Sequence, residues 1–169
     1  NNLEAKLSRN PEKLLEFRSQ QKDFLGSSFA TITAFNENSA LPHYDPEESS
    51  GAAIGERGLL LVDSGGQYLG GTTDITRTIP VGIPSAQQKS DFTLILKGHI
   101  NLALAKFPHG TRGYQLDFIA RRSMWGSGMN YAHGTGHGVG YCLNVHEGPQ
   151  SISPADNKTT IEAGMLTSN

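Results

Sequence analysis

Two aspartates and a histidine have the residue types that bind divalent metal ions. Asp63 follows the apolar run GLLLV, and Asp74 lies near the start of the next β-branched segment, beyond a glycine-rich stretch. Two carboxylates on neighbouring strands would repel each other unless a cation lay between them. Together with His137 they make a mostly oxygen ligand set suited to manganese, cobalt, iron or zinc, and bridging carboxylates hold metal pairs in hydrolytic sites. The alternative is that Asp63 caps a turn and Asp74 bonds to nearby threonines.

The stretch HGTGHGVG, residues 133–140, combines His133 and His137 with four glycines, and His146 follows in NVHEGP. Glycine lets the backbone approach another group closely, but it loses more conformational entropy on folding than any other residue. We therefore expect this stretch to have a binding role. His43, in a polar loop, is more often a solvated histidine when judged from its neighbours alone. Cys142 is expected to be a small buried side chain.

Length and composition limit the class of protein. The chain has 169 residues, which suits one domain, and its 14 basic and 16 acidic residues form no basic stripe for nucleic acid. A single cysteine excludes an internal disulfide and fits a reducing compartment. The sequence shows no apolar run of roughly 18 to 20 residues, the length of a membrane span. We expect no nucleic-acid partner, no membrane partner and a cytoplasmic location.

The elements that must position these residues alternate between helix and strand. Apolar spacing predicts helix within residues 3–23, and β-branched residues predict a strand over 29–35 followed by a loop to about 52. Residues 58–63 and 73–81 predict two antiparallel strands joined by a glycine-punctuated reversal.

Helices are predicted in the second half of the chain. The SAQQ sequence at residues 85–88 has the spacing of a capping box and predicts a helix that continues toward Lys106. A further helix is predicted over 114–125, with one shared face formed by Leu116, Ile119, Ala120 and Ser123. The sequence as a whole predicts one α+β domain.

Three segments together carry a family resemblance that extends from about residue 14 to the end. LLLVDSGGQYLGGTTDITRTIPVG, KGHINLALAKFPHGTRGYQLDFIAR and HGTGHGVGYCLNVHEGP resemble the catalytic domain of the Xaa-Pro aminopeptidases, or aminopeptidases P. These belong to the creatinase and methionine aminopeptidase superfamily, metallopeptidase family M24. The resemblance implies the pita-bread fold and two divalent metal ions, usually Mn²⁺, with Co²⁺, Zn²⁺ or Fe²⁺ as alternatives. It also implies a bridging hydroxide that attacks the peptide bond before a proline at position two.

The resemblance also implies roles for individual residues. Asp63, Asp74 and His137 match metal ligands, with Asp74 bridging both ions. His43 and His146 match catalytic and substrate-binding histidines.

His43 resembles the histidine beside the scissile bond, and His146 the one that hydrogen-bonds the substrate or moves a proton. His133 resembles the histidine that lines the proline pocket.

Two glutamates that complete the family's metal site have no match among these residues. We therefore expect residues 1–169 to form a partial catalytic domain, truncated at its C-terminal end and lacking the family's N-terminal domains, and to be inactive alone. The parent protein is expected to act on peptides with proline at position two, and a homodimer is its candidate assembly.

Two alternatives stay open. One is a prolidase or another metallopeptidase of the same fold, and the other is a non-catalytic pita-bread module that binds peptides.

Overall fold

The structure is a computed structural model that describes residues 10–42, 44 and 54–169. His43 and most of the polar loop predicted around it lie outside the described residues. The chain divides into two compact units, Asn1–Pro84 and Ser85–Asn169. Both contain helix and antiparallel strand, which confirms the α+β class predicted from the sequence.

The described residues of the first unit form one α-helix and two small antiparallel sheets. Strand order is β1-β4-β5 in one sheet and β2-β3-β6 in the other. The elements are α1 (Asn10–Ser19), β1 (Phe24–Ser27), β2 (Ile32–Phe35), a 3-10 turn (Asn36–Ala40), β3 (Gly58–Ser64), β4 (Gly66–Tyr68), β5 (Gly71–Thr72) and β6 (Ile75–Val81).

The antiparallel pair predicted around the two aspartates is confirmed, with one correction. β3 and β6 pair along their whole length, from Gly58 opposite Val81 to Ser64 opposite Ile75. Asp74 was expected inside the second strand, but it lies just before β6 begins. The chain leaves the β3–β6 pair there because the intervening residues form β4 and β5, which pair with each other, and β4 also pairs with β1.

A glycine allows this turn to be tight. A Cβ atom on Gly65 would lie 2.0 Å from the Thr73 carbonyl oxygen and 2.2 Å from the Ser28 hydroxyl oxygen. No side chain fits at that distance, so only glycine permits the close approach of these segments directly after Asp63 and Ser64.

The second unit contains the two longest helices. Its elements are α2 (Ala86–Ala103), α3 (Gly113–Trp125), β7 (Gly136–His137) and β8 (Ser151–Ile152). The predicted capping box is confirmed: the Ser85 hydroxyl accepts a hydrogen bond from the Gln88 backbone N–H, and the Gln88 side chain accepts one from the Ser85 N–H. These two bonds satisfy helix-end donors that would otherwise lack partners, and so fix where α2 begins.

α2 packs against α3 at a glycine. A Cβ atom on Gly98 would lie 2.0 Å from the carbonyl oxygen of Ala120, so the two helix backbones approach closely there. The apolar core around this crossing consists of Leu102, Leu116, Ala120 and Ile152, with Ile119 and Ile161 packed against it. The apolar residues of the face predicted for α3, Leu116, Ile119 and Ala120, therefore do lie at this core.

One expectation about burial is corrected by this unit. Cys142 is exposed, and its φ of 50° places it in the left-handed region, so it is not the buried side chain predicted from its size. Conversely, the charged residues Asp117 and Arg121 of α3 are buried. None of the helices in the described part of the chain is long and apolar enough to span a bilayer.

Candidate active site

The two candidate metal-binding aspartates lie at the same end of one strand pair. Asp63 is half-buried, occupies the position before the last residue of β3 and is paired with Thr76. Asp74 is also half-buried and directly precedes Ile75, the first residue of β6. Strand pairing thus brings both residues to the end of the ladder where β3 finishes and β6 starts.

The glycines of the histidine-rich loop are required by close backbone packing. A Cβ atom on Gly136 would lie 2.0 Å from the carbonyl oxygen of Ser168, and one on Gly138 would lie 2.1 Å from that of Glu147. Gly140 is similarly close to Asn144. The sequence predicted such close approach, and the structure shows that the groups approached are backbone carbonyls of the segments that follow.

His137 is held at its backbone and at one ring nitrogen. Its backbone N–H donates to the Ser168 hydroxyl at 3.1 Å, and its carbonyl accepts from the Ser168 N–H at 2.8 Å. The ring Nδ1 lies 2.9 Å from the carbonyl oxygen of Gly138. Since a carbonyl only accepts, the neutral ring carries its proton on Nδ1, and Nε2 carries the lone pair that a metal ion needs.

The donor types of these residues fit a metal ion chemically. A histidine that donates one ring N–H to a backbone carbonyl has the orientation and tautomer usual for a metal ligand. Asp63 and Asp74 would supply carboxylate oxygens, which manganese and related ions accept together with imidazole. The donor set of these three residues is therefore suitable for a divalent transition metal.

The structure brings His146 against His137 within the second unit. Their ring centroids are 4.1 Å apart and their planes are inclined at 69°. His146 is exposed, whereas His137 is half-buried. A backbone hydrogen bond from the Glu147 N–H to the Gly138 carbonyl, 2.9 Å long, ties the two segments together.

His133 lies at the start of the loop with its side chain exposed. Its Nδ1 donates to the carbonyl of Gly134 at 2.7 Å, and its ring lies 4.9 Å from the ring of Tyr131. The ring is therefore oriented by its own neighbours and is also accessible to a ligand.

Sequence reasoning missed the charged pair beneath this loop. The side chains of Asp117 and Arg121 are 5% and 2% exposed and form an ion pair of 2.6 Å. The spacing of four residues between opposite charges on a helix was the available signal. It was overlooked because such a pair is ordinarily assigned to a solvent-facing surface.

A second charged cluster in the same unit surrounds Glu162. The hydroxyl of Thr160 donates to this carboxylate at 2.6 Å, and His109 Nε2 lies 3.1 Å from its other oxygen. The Thr160 hydrogen bond is the main cause that lowers the pKa of Glu162 below the ordinary glutamate range. Desolvation opposes it as the next largest effect, and the charge and hydrogen bond of His109 add smaller lowering effects.

Comparison with known proteins identifies close relatives. The model of metallopeptidase family M24 matches residues 6–169. Aminopeptidase P2 of Arabidopsis thaliana is 53% identical over 159 residues, which make up 94% of this chain and 22% of that protein. Xaa-Pro aminopeptidase 1 of Dictyostelium discoideum is 51% identical over 160 residues, covering 94% of this chain and 25% of that protein. The chain thus spans about a quarter of the length of these curated relatives.

Solved structures confirm the predicted pita-bread fold class. The X-prolyl aminopeptidase of Caenorhabditis elegans, described as a cytosolic enzyme with a di-nuclear active site, matches with a TM-score of 0.88 and 42% identity. That match covers 96% of this chain and 26% of the other. The prolidase of Pyrococcus furiosus matches with a TM-score of 0.82 and 29% identity, covering 96% of this chain and 46% of the other.

Proposed function

Because this chain belongs to metallopeptidase family M24, we propose that it is part of a metal-dependent aminopeptidase that hydrolyses the N-terminal Xaa-Pro bond of peptides. The observation that carries the proposal is the identity of about half the residues with Xaa-Pro aminopeptidases over nearly the whole chain. The local geometry of His137 supports it, since the ring is oriented as a metal ligand requires. The activity is that of the whole protein, of which this chain is one segment.

Asp63, Asp74 and His137 would hold the metal, with Asp74 shared between two ions. Two divalent ions would supply a polarised carbonyl and an activated water molecule at neutral pH. Manganese is the proposed metal, and cobalt, zinc and iron are the alternatives that the same ligands accept.

The remaining histidines would handle the substrate. His133, exposed at the start of the loop, would line the pocket for the proline side chain. His146, exposed and against His137, would donate a hydrogen bond to the substrate or move a proton at the cleaved bond. His43, outside the described residues, would lie beside the scissile bond.

A prolidase is the second candidate function, because the likeness to the Pyrococcus furiosus prolidase is nearly as good in fold. The two activities differ in the peptide accepted: a prolidase cleaves Xaa-Pro dipeptides, and an Xaa-Pro aminopeptidase cleaves longer peptides. A non-catalytic peptide-binding module is a third possibility, against which the presence of Asp63, Asp74 and His137 argues.

The test is hydrolysis by the full-length protein. We expect Mn²⁺-dependent cleavage of Xaa-Pro-Xaa tripeptides, and weak or no cleavage of Xaa-Pro dipeptides. Preference for the dipeptide would identify a prolidase. Peptide binding without cleavage, with metal absent by elemental analysis, would identify a binding module.

Two properties of the whole protein belong to the same proposal. A cytoplasmic location agrees with the description of the Caenorhabditis elegans relative as cytosolic. A homodimer is the proposed assembly, and sedimentation of the full-length protein measures it directly.

A further inference from the structure

The charged pair buried in α3 has a role beyond stabilising the helix. We propose that Asp117 and Arg121 are positioning residues, which fix the backbone around His133 so that its exposed imidazole is held in one orientation for substrate. The part of this inference that concerns substrate rests on the proposed function. The part that concerns orientation stands on the contacts alone.

Arg121 holds the segment before the histidine-rich loop through several acceptors at once. One terminal nitrogen of its guanidinium donates to the Asn130 side-chain oxygen at 2.9 Å and to the Tyr131 carbonyl at 2.5 Å. The other terminal nitrogen donates to the His133 carbonyl at 2.7 Å. The guanidinium also stacks on the ring of Tyr131, with its carbon 3.8 Å from the ring centroid. The guanidinium group therefore fixes the backbone at Tyr131 and at His133, and also the Tyr131 ring.

Asp117 extends the same network to the other side of His133. One carboxylate oxygen accepts from Arg121 at 2.6 Å, and the other accepts from the Thr135 hydroxyl at 2.7 Å. Thr135 also shares a 2.5 Å hydrogen bond with the Tyr131 hydroxyl. The chain is thus held at residues 131, 133 and 135, while the His133 side chain between these points remains exposed.

Stability alone does not account for this pair. Burying two charges is costly, and apolar residues of similar size often stabilise a protein as well or better. What an apolar pair does not provide is a set of donors for the backbone carbonyls of Tyr131 and His133. Arginine suits the task because its planar fork presents five donors in fixed directions, which lysine does not.

The principal test uses two mild variants of the full-length protein. Arg121→Lys keeps the charge but loses the fork, and Thr135→Val removes one hydrogen bond while keeping the shape. We expect KM for an Xaa-Pro-Xaa tripeptide to rise roughly tenfold in Arg121→Lys, and less in Thr135→Val, with kcat and bound manganese near wild type. Arg122→Lys, at the exposed neighbouring position, is the matched control and should leave KM unchanged.

A double variant separates positioning from mere structural support. Asp117→Leu combined with Arg121→Met replaces the pair by apolar side chains. If the pair serves only stability, this variant should regain wild-type KM. If the pair positions His133, KM should stay raised although the protein remains folded.

A spectroscopic measurement keeps the inference separate from the proposed function. The imidazole 1H–15N signals of His133 should shift in Arg121→Lys and Thr135→Val, while those of His99 on α2 should not. If the full-length protein cleaves no Xaa-Pro peptide, the proposed function fails and these signals alone decide the positioning role. An unchanged His133 signal overturns the inference, and so does an unchanged KM in an active enzyme.

Discussion

The rings of His137 and His146 meet edge to face at 69° with their centroids 4.1 Å apart. Their segments are joined at Gly138, whose N–H donates to the Gln150 carbonyl at 3.1 Å and whose carbonyl accepts from the Glu147 N–H at 2.9 Å. The contact between the two histidines therefore depends on a glycine that carries no functional group.

Gly138→Ala should separate the two histidines. The added Cβ would lie 2.1 Å from the Glu147 carbonyl oxygen, so the segment that carries His146 must move. We expect a loss of about 1–3 kcal/mol in the free energy of unfolding and a large fall in peptidase activity. Urea unfolding and tripeptide hydrolysis measure the two effects. Gly126→Ala is the control, because a Cβ there meets its nearest atom at an ordinary 3.6 Å.

Gly98→Ala should destabilise the protein, whereas a glycine-to-alanine substitution inside a helix usually stabilises it. In a helix interior, alanine is ordinarily more stable than glycine by about 0.5–1 kcal/mol. At Gly98, however, the methyl group would lie 2.0 Å from the Ala120 carbonyl oxygen and would force α2 and α3 apart. A lower melting temperature is expected. A melting temperature at or above wild type would show that the helices do not pack as closely as described.

Asp74→Asn in the full-length protein should abolish metal binding and activity together. The change removes one negative charge from the proposed bridging ligand, and carboxylate ligands cannot be replaced by amides without a large loss of affinity for hard divalent ions. Elemental analysis and tripeptide hydrolysis measure both. Asp23→Asn is the control, since Asp23 has a φ of 62° that asparagine tolerates equally well. Full metal occupancy with full turnover in Asp74→Asn would refute the ligand assignment.

His133→Ala, in contrast, should weaken substrate binding with metal retained.

The 169-residue chain by itself should bind manganese weakly and cleave no Xaa-Pro tripeptide. Asp63, Asp74 and His137 offer only two negative charges and one neutral ring, too few to offset the desolvation of two divalent ions. Titration calorimetry with MnCl₂ and a hydrolysis assay test this. Two tightly bound ions and rapid turnover would contradict the proposed ligand count.

Stability should depend on pH through Glu162. Its pKa is lowered in the folded protein, mainly by the Thr160 hydroxyl, so the ionised form stabilises the fold above the unfolded-state pKa. That contribution is lost as pH falls through the lower, folded-state pKa. Between roughly pH 6 and pH 3, wild type should therefore lose more stability than Glu162→Gln, with Thr160→Val in between.

Urea midpoints at several pH values measure this difference. Thr159→Val is the control, because the described contact of Thr159 uses its backbone N–H, which bonds to Asn157. A Thr160→Val profile identical to wild type would show that the hydroxyl does not lower the Glu162 pKa.

Local signals predicted much of the fold. The start of α2 follows from the Ser85 and Gln88 side chains, which act on backbone groups within four residues. β3 and β6 follow from β-branched and apolar runs, and the apolar face of α3 from its helical spacing. Each of these features is decided by neighbours in the chain, which is why the sequence reveals it.

Features decided by distant contacts were not predictable. Asp74 falls outside β6 because the residues before it belong to a separate sheet, in which β4 pairs with both β1 and β5. Arg121 is buried where it donates to the carbonyls at residues 131 and 133, and because these acceptors lie outside α3, the charge spacing within the helix does not reveal its burial. Cys142 is exposed and its backbone has a positive φ, although a free cysteine is usually buried.

The alternating glycines of the histidine-rich loop have a consequence for mutational scanning. Substitutions at Gly136, Gly138 and Gly140 would be depleted from a library selected only for folded protein, before any selection for peptide cleavage. The same library should tolerate changes at His133 and His146, whose side chains are exposed. Comparing the abundance of each variant with its activity would separate the positions that are needed for the loop to fold from those that are needed for peptide cleavage.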